Sequence, residues 1–115
     1  MLRVEFTALF NRDLKRLIRK YPNIKKDFSD ILDQLEQGFF VGDELKKFSS
    51  TVYKVRIGST DQNKGKRGGF RLVYIVIRKA DIVYLMAIYA KAQKEDLTQK
   101  EEKQIKDFIK ELGRD

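Results

Sequence analysis

The chain has 115 residues, 25 of them Lys or Arg and 17 Asp or Glu, for a net charge of +8. That length suits one domain, residues 1–115, with a single core. The absence of His and Cys excludes disulfides, cysteine zinc sites, Ser-His-Asp and Cys-His catalysis and haem held by His.

Residues 1–6 read as a short strand, with Leu2, Val4 and Phe6 alternating. Phe10, Leu14, Leu17, Ile18 and Tyr21 then recur at helical spacing, with Arg12, Lys15, Arg16, Arg19 and Lys20 mostly off that stripe. Pro22 ends this helix and suits the start of the next. Ile24, Phe28, Ile31, Leu32 and Leu35 stripe the second helix, and Gly38 can close it. The short link predicts an antiparallel helical hairpin. Residues 39–50 read as a loop.

From Thr51 the period changes to 2. Residues 51–59 predict a strand with Tyr53, Val55 and Ile57 on the helix-covered face and Val52, Lys54 and Arg56 on the other. Residues 60–69 are polar and glycine-bearing, a turn or hairpin loop. Residues 70–77 are apolar on both faces, as in a central strand. Residues 79–81 make a tight turn, and residues 82–89 a third strong strand. Short links favour an antiparallel meander. Thr98 and Glu101 match a capping box. It opens a helix striped by Ile105, Phe108, Ile109 and Leu112 and closed by Gly113. The expected architecture is α+β, in the order β-α-α-β-β-β-α. A small, mainly antiparallel sheet carries the helical hairpin on one face, with a C-terminal helix after it. No apolar run approaches the roughly 20 residues of a membrane span, and no signal peptide is visible. A cytoplasmic protein with no membrane association is expected.

The charge is uneven. Residues 51–94 hold 10 cations and 2 anions, whereas the flanking segments nearly balance. Such clustering is a footprint for polyanions, nucleic acid first. Lys54 and Arg56 share a strand face, Lys64, Lys66 and Arg67 sit in the next loop, and Arg71 follows on the adjacent strand. Tyr89, Lys91 and Lys94 lie at the end of the last strand. A meander brings these together on one open sheet surface or its rim. There the cations would grip RNA phosphates and Tyr89 would stack on an unpaired base. RNA also brings its own nucleophile, the 2′-hydroxyl. With no His, Lys, Arg and Tyr must supply proton transfer and charge stabilisation. Arginine suits the stabilising role and lysine the proton transfer.

Other motifs fail. Residues 64–69 lack the Ser or Thr that a Walker A loop needs after Gly-Lys. Residues 61–72 carry Lys66 and Leu72 where an EF-hand needs Gly and Glu. Asp27, Asp30 and Asp33 recur on one helix, a pattern usual for a solvated face. No metal or cofactor is expected.

The stretch Phe10-x2-Asp13-Leu14-x2-Leu17, the pair Gly42-Asp43, the run 52–58, the segment Gly65-Lys66-Arg67-Gly68-Gly69-Phe70-Arg71-Leu72-Val73-Tyr74 and the ending Ile88-Tyr89-Ala90-Lys91-x2-Lys94-x-Asp96-Leu97 carry a resemblance. Together they resemble the RelE/HigB branch of the RelE/ParE toxin superfamily, over roughly residues 1–112. The resemblance implies a RelE-like fold and the toxin of a type II toxin–antitoxin system. It implies a ribosome-dependent mRNA endoribonuclease, or mRNA interferase. By the same resemblance Arg71 contacts the scissile phosphate and Lys54 and Arg56 act in catalysis and binding. Lys64, Lys66 and Arg67 face the RNA, and Lys91 and Lys94 are the basic residues after the last strand. Some RelE proteins carry a catalytic Tyr in a tail after that strand. Here the tail becomes a helix, and Tyr89 sits earlier. Lys54 is the first choice for the base and Lys91 the second. The implied partners are mRNA on the 70S ribosome and a cognate antitoxin, RelB- or HigA-like. The competing readings are a ParE-like gyrase poison and a non-catalytic RNA-binding module.

Overall fold

The structure is a computed structural model and describes residues 1–63, 65 and 68–113. The chain runs β1 (Arg3–Phe6), α1 (Ala8–Lys20), α2 (Ile24–Glu36), β2 (Asp43–Glu44), β3 (Thr51–Ile57), β4 (Phe70–Ile77), β5 (Ile82–Ala90) and α3 (Gln99–Leu112). The strands form one sheet in the order β1-β5-β4-β3-β2.

Local chemistry sets the ends of the helices. The Thr7 hydroxyl accepts from the Phe10 N–H at 3.2 Å, capping α1, and donates to the Leu85 carbonyl at 2.7 Å. One side chain thus starts the helix and ties it to β5. Pro22 lies in the link rather than in α2, whose N-cap is Asn23. Gly38, at φ +88°, closes α2. Its N–H donates to the Leu35 carbonyl and the Phe39 N–H to the Gln34 carbonyl, the pairing of a Schellman cap. At α3 the capping box of Thr98 and Glu101 is complete in both directions.

The meander β3-β4-β5 is antiparallel, as the short links require. Two features depart from the sequence reading. The 39–50 segment is not all loop, because residues 43–44 pair with Lys54 and Tyr53 of β3 as an edge strand. Gly42 makes this possible: at φ +104°, any Cβ there would lie 2.5 Å from the Lys54 carbonyl oxygen. The N-terminal strand also pairs in parallel with β5, so the sheet is mixed.

The sheet separates two cores. On one face, Phe10, Leu14, Leu17, Ile24, Phe28 and Leu35 of the hairpin pack on Val55, Ile57, Phe70, Leu72, Tyr74, Leu85 and Ile88. On the other, Val52, Val73, Ile75 and Met86 lie beneath Leu97, Ile105, Phe108 and Ile109, with Leu45 and Phe48 closing the side. The second face is therefore covered over most of its length, not open as expected. The cause is legible in β4, whose residues are apolar on both faces and must be buried twice. The α3 stripe needs the same contact: Ile105 is 1% exposed, a burial that stabilises by roughly 1.5–3 kcal/mol.

The β4–β5 register slips between Val73 and Tyr74. Val73 pairs with Ala87 and Tyr74 with Leu85, leaving Met86 as the extra residue of a β-bulge. The bulge resets the alternation of β5. Leu85 and Ile88 both face the hairpin, and Met86, Ala87 and Tyr89 face α3.

Candidate functional site

Because of that reset, Tyr89 shares a face with Arg71. The pairing register then sets Arg56 of β3 opposite Arg71 of β4, and Arg71 opposite Tyr89 of β5. The three side chains form one rung across the strands. Lys54 lies two residues along β3, opposite Val73. Like charges directly opposite across strands are destabilising, and an arginine is seldom buried. Arg71 is nonetheless only 7% exposed, and it donates to its neighbour's carbonyl, Phe70, at 3.2 Å. Two guanidiniums set side by side on one face in this way can together bind one anion.

Gly69 secures the end of the rung. A Cβ there would lie 2.0 Å from the Ile57 carbonyl oxygen, so only glycine lets the chain enter β4 this close to β3. The Gly69 carbonyl accepts from the Lys91 N–H at 2.9 Å, which ties the residue after β5 to the start of β4.

Tyr89 is 4% exposed, and its hydroxyl is buried without a hydrogen bond among the described residues. Burial first, and then the Asp96 carboxylate, push its pKa up to about 12, so it stays protonated near neutrality and remains a donor. The Lys94 ammonium stands 5.2 Å from the ring centroid. This corrects the expected role of Tyr89 as an open stacking platform: its ring is covered, because it packs into the second core beneath α3 and Lys94 folds back over it.

The site cations have carboxylate neighbours. Lys54 Nζ lies 3.6 Å from Asp96, Lys91 Nζ 3.0 Å from Glu95 and Lys94 Nζ 2.5 Å from Glu101. Burial works against the charge on Asp96 and Glu101. It is outweighed at Asp96 by the Leu97 N–H and Lys54, and at Glu101 by Lys94 and Thr98, so both carboxyls stay below their usual range.

The structure thus brings Lys54, Arg56, Arg71, Tyr89, Lys91 and Lys94 to one end of the sheet. Lys64, Lys66 and Arg67 lie outside the described residues. Arg78 and Lys79 sit beyond the far end of β4, where Arg78 stacks 4.9 Å from the Phe40 ring. Part of the basic segment therefore serves the opposite end of the sheet. Asp27 is used structurally: its carboxylate accepts from the Thr60 N–H and hydroxyl, anchoring the β3–β4 loop to α2. Among the described residues no group of three metal-ligating side chains converges, and no described helix is long and apolar enough to cross a membrane.

Asp13 was missed as a contributor in its own right. It is 5% exposed, and its carboxylate accepts from the Ile88 N–H at 3.1 Å and from Arg16 at 2.8 Å. Among the described residues no strand covers the outer edge of β5 beyond Phe6, and Asp13 satisfies that edge beside Tyr89. Burial raises its pKa, with the Ile88 and Arg16 bonds opposing. The signal lay in the helical spacing, since Asp13 falls three residues after Phe10 on the inward stripe.

Residues 7–114 match the family model described as the RelE toxin of the RelE/RelB toxin–antitoxin system. The chain belongs to the RelE toxin family. Membership in a family of toxin–antitoxin systems implies a toxin role and a cognate antitoxin. The fold agrees. The isolated Escherichia coli RelE toxin aligns with a TM-score of 0.57 at 16% identity, over 94% of this chain and 99% of that one. A metal-bound toxin from Helicobacter pylori gives 0.58 at 16% identity, over 81% of this chain and 98% of that one. A free-state double arginine-to-alanine mutant of E. coli RelE gives 0.56 at 19% identity, over 82% and 87%. At these identities the likeness to the solved RelE-family structures is one of fold.

Proposed function

We propose that this RelE-family chain is a ribosome-dependent mRNA endoribonuclease of the cytoplasm, held inactive by a RelB- or HigA-like antitoxin. The observation that carries the reading is the rung Arg56–Arg71–Tyr89, two opposed guanidiniums and a protonated phenol in one register.

Two arginines a strand apart suit a phosphodiester. Each offers a fork of N–H donors, and both remain charged throughout turnover. The RNA 2′-oxygen attacks the adjacent phosphorus while its proton passes to a lysine that has entered the step as the neutral amine, Lys54 being the first choice and Lys91 the second. The P–O5′ bond breaks, and the leaving 5′-oxygen takes a proton from an ammonium or from Tyr89. The products are a 2′,3′-cyclic phosphate and a 5′-hydroxyl, with no water consumed. Arg56 and Arg71 stabilise the extra negative charge on the pentacoordinate phosphorus. Lys94, with Lys64, Lys66 and Arg67, would grip the flanking phosphates.

The test is to incubate purified protein with a defined mRNA, with and without 70S ribosomes, and to map cut positions by primer extension. Cuts that appear only with ribosomes, bearing 2′,3′-cyclic phosphate ends, are the expected result. Cuts of equal number on free mRNA would overturn ribosome dependence. An intact message in both reactions, with inhibited gyrase supercoiling, would replace this reading by a gyrase poison.

A further inference from the structure

The same end of the sheet that gathers cations also supplies their counter-ions. The carboxylates paired with Lys54, Lys91 and Lys94 are Asp96, Glu95 and Glu101. All three lie within residues 95–101, the segment that leads from β5 into α3. Its position is fixed by contacts other than those with the lysines. Leu97 is buried in the second core, the Asp96 carboxylate accepts from the Leu97 N–H at 2.8 Å, and Glu101 closes the α3 capping box. The fold thus sets a short run of anions against the lysines that flank the Arg56–Arg71 rung.

We propose that Glu95, Asp96 and Glu101 act as an internal substitute for phosphates, which an RNA strand must displace, and that they determine which RNA gains entry. This rests on the nuclease reading above. Each pair is partly solvated, so each is weak alone and exchangeable. Together they penalise a strand that offers phosphates one at a time. A strand presented with several phosphates held in place replaces all three at once.

The carboxylates also leave a mark in salt dependence. Binding to single strands follows log K against log salt with a slope of about −0.7 per phosphate neutralised. Internal anions cancel part of that count. Glu95→Gln/Asp96→Asn/Glu101→Gln removes three charges, while Gln still serves the capping box and Asn still accepts from Leu97. A control, Glu5→Gln/Asp81→Asn/Asp107→Asn, removes three charges toward the other end of the sheet.

The experiment measures binding of each folded protein to a 2′-O-methylated single-stranded RNA, which lacks the attacking hydroxyl, across a salt series. The segment variant is expected to bind about tenfold tighter at low salt, with a slope steeper by about 2. The control should leave the slope unchanged. Equal gains in both variants, or none in the segment variant, would overturn the proposal and leave the nuclease reading standing. Lys54→Ala/Lys94→Ala is the check on that reading: unchanged RNA affinity in this variant would overturn both.

Discussion

Asp13 shows how one side chain links the core to the site. It occupies an inward position of α1, where an aliphatic residue would serve packing equally well, and satisfies an edge N–H of β5 next to Tyr89. Removing the acceptor leaves that buried N–H without a partner. Asp13→Ala should therefore lower stability by about 1–3 kcal/mol in urea unfolding. Asp13→Asn keeps a carbonyl acceptor and removes a charge that burial disfavours, so it should recover most of the loss. Equal losses for Ala and Asn would show that the carboxylate charge, not the hydrogen bond, is what matters. The Arg56–Arg71 opposition works in the reverse sense, as a local cost that a bound anion would lessen.

At the scale of elements, the first turn of α3 joins a helix cap to the site. Glu101 completes the capping box and receives Lys94, and its carboxyl sits below the ordinary glutamate range. A lowered folded-state pKa contributes stability above the unfolded value of 4.5, lost as pH falls through the lowered value. Asp13, with its raised pKa, works in the opposite direction, favouring the fold at acid pH. Glu101→Gln should consequently be less stable than the parent near neutral pH, with the gap closing as pH falls below 4.5 and through the lowered folded-state value. A gap that stays constant as the solution is acidified would remove the ion pair as its cause. The helices, the three-strand meander and the face assignments of β3 were legible because each follows a local period. The parallel docking of β1, the two-residue β2 and the Met86 bulge were not, because they depend on partners distant in sequence. The bulge matters most: strict alternation through 85–89 puts Leu85 and Tyr89 on one face, and only the slipped register turns Tyr89 toward Arg71. Likewise the α3 stripe was visible in sequence, but its seat on the second face was not.

Across the whole molecule, the net charge of +8 is less telling than its arrangement. Arg78 and Lys79 stand beyond one end of β4. Lys54, Arg56, Arg71, Lys91 and Lys94 gather at the other, interleaved with carboxylates from the chain that follows. A uniformly basic surface would bind any polyanion; this one sets two guanidiniums in a fixed register and screens the lysines around them. The most direct measurement of the nuclease account is single-turnover cleavage of ribosome-bound mRNA by Arg71→Ala, with circular dichroism and urea unfolding to verify the fold. The account predicts a folded protein whose cleavage rate falls by at least about a hundredfold, in the range seen when one charge-stabilising donor is lost. A folded Arg71→Ala protein that cuts at the parental rate would contradict it.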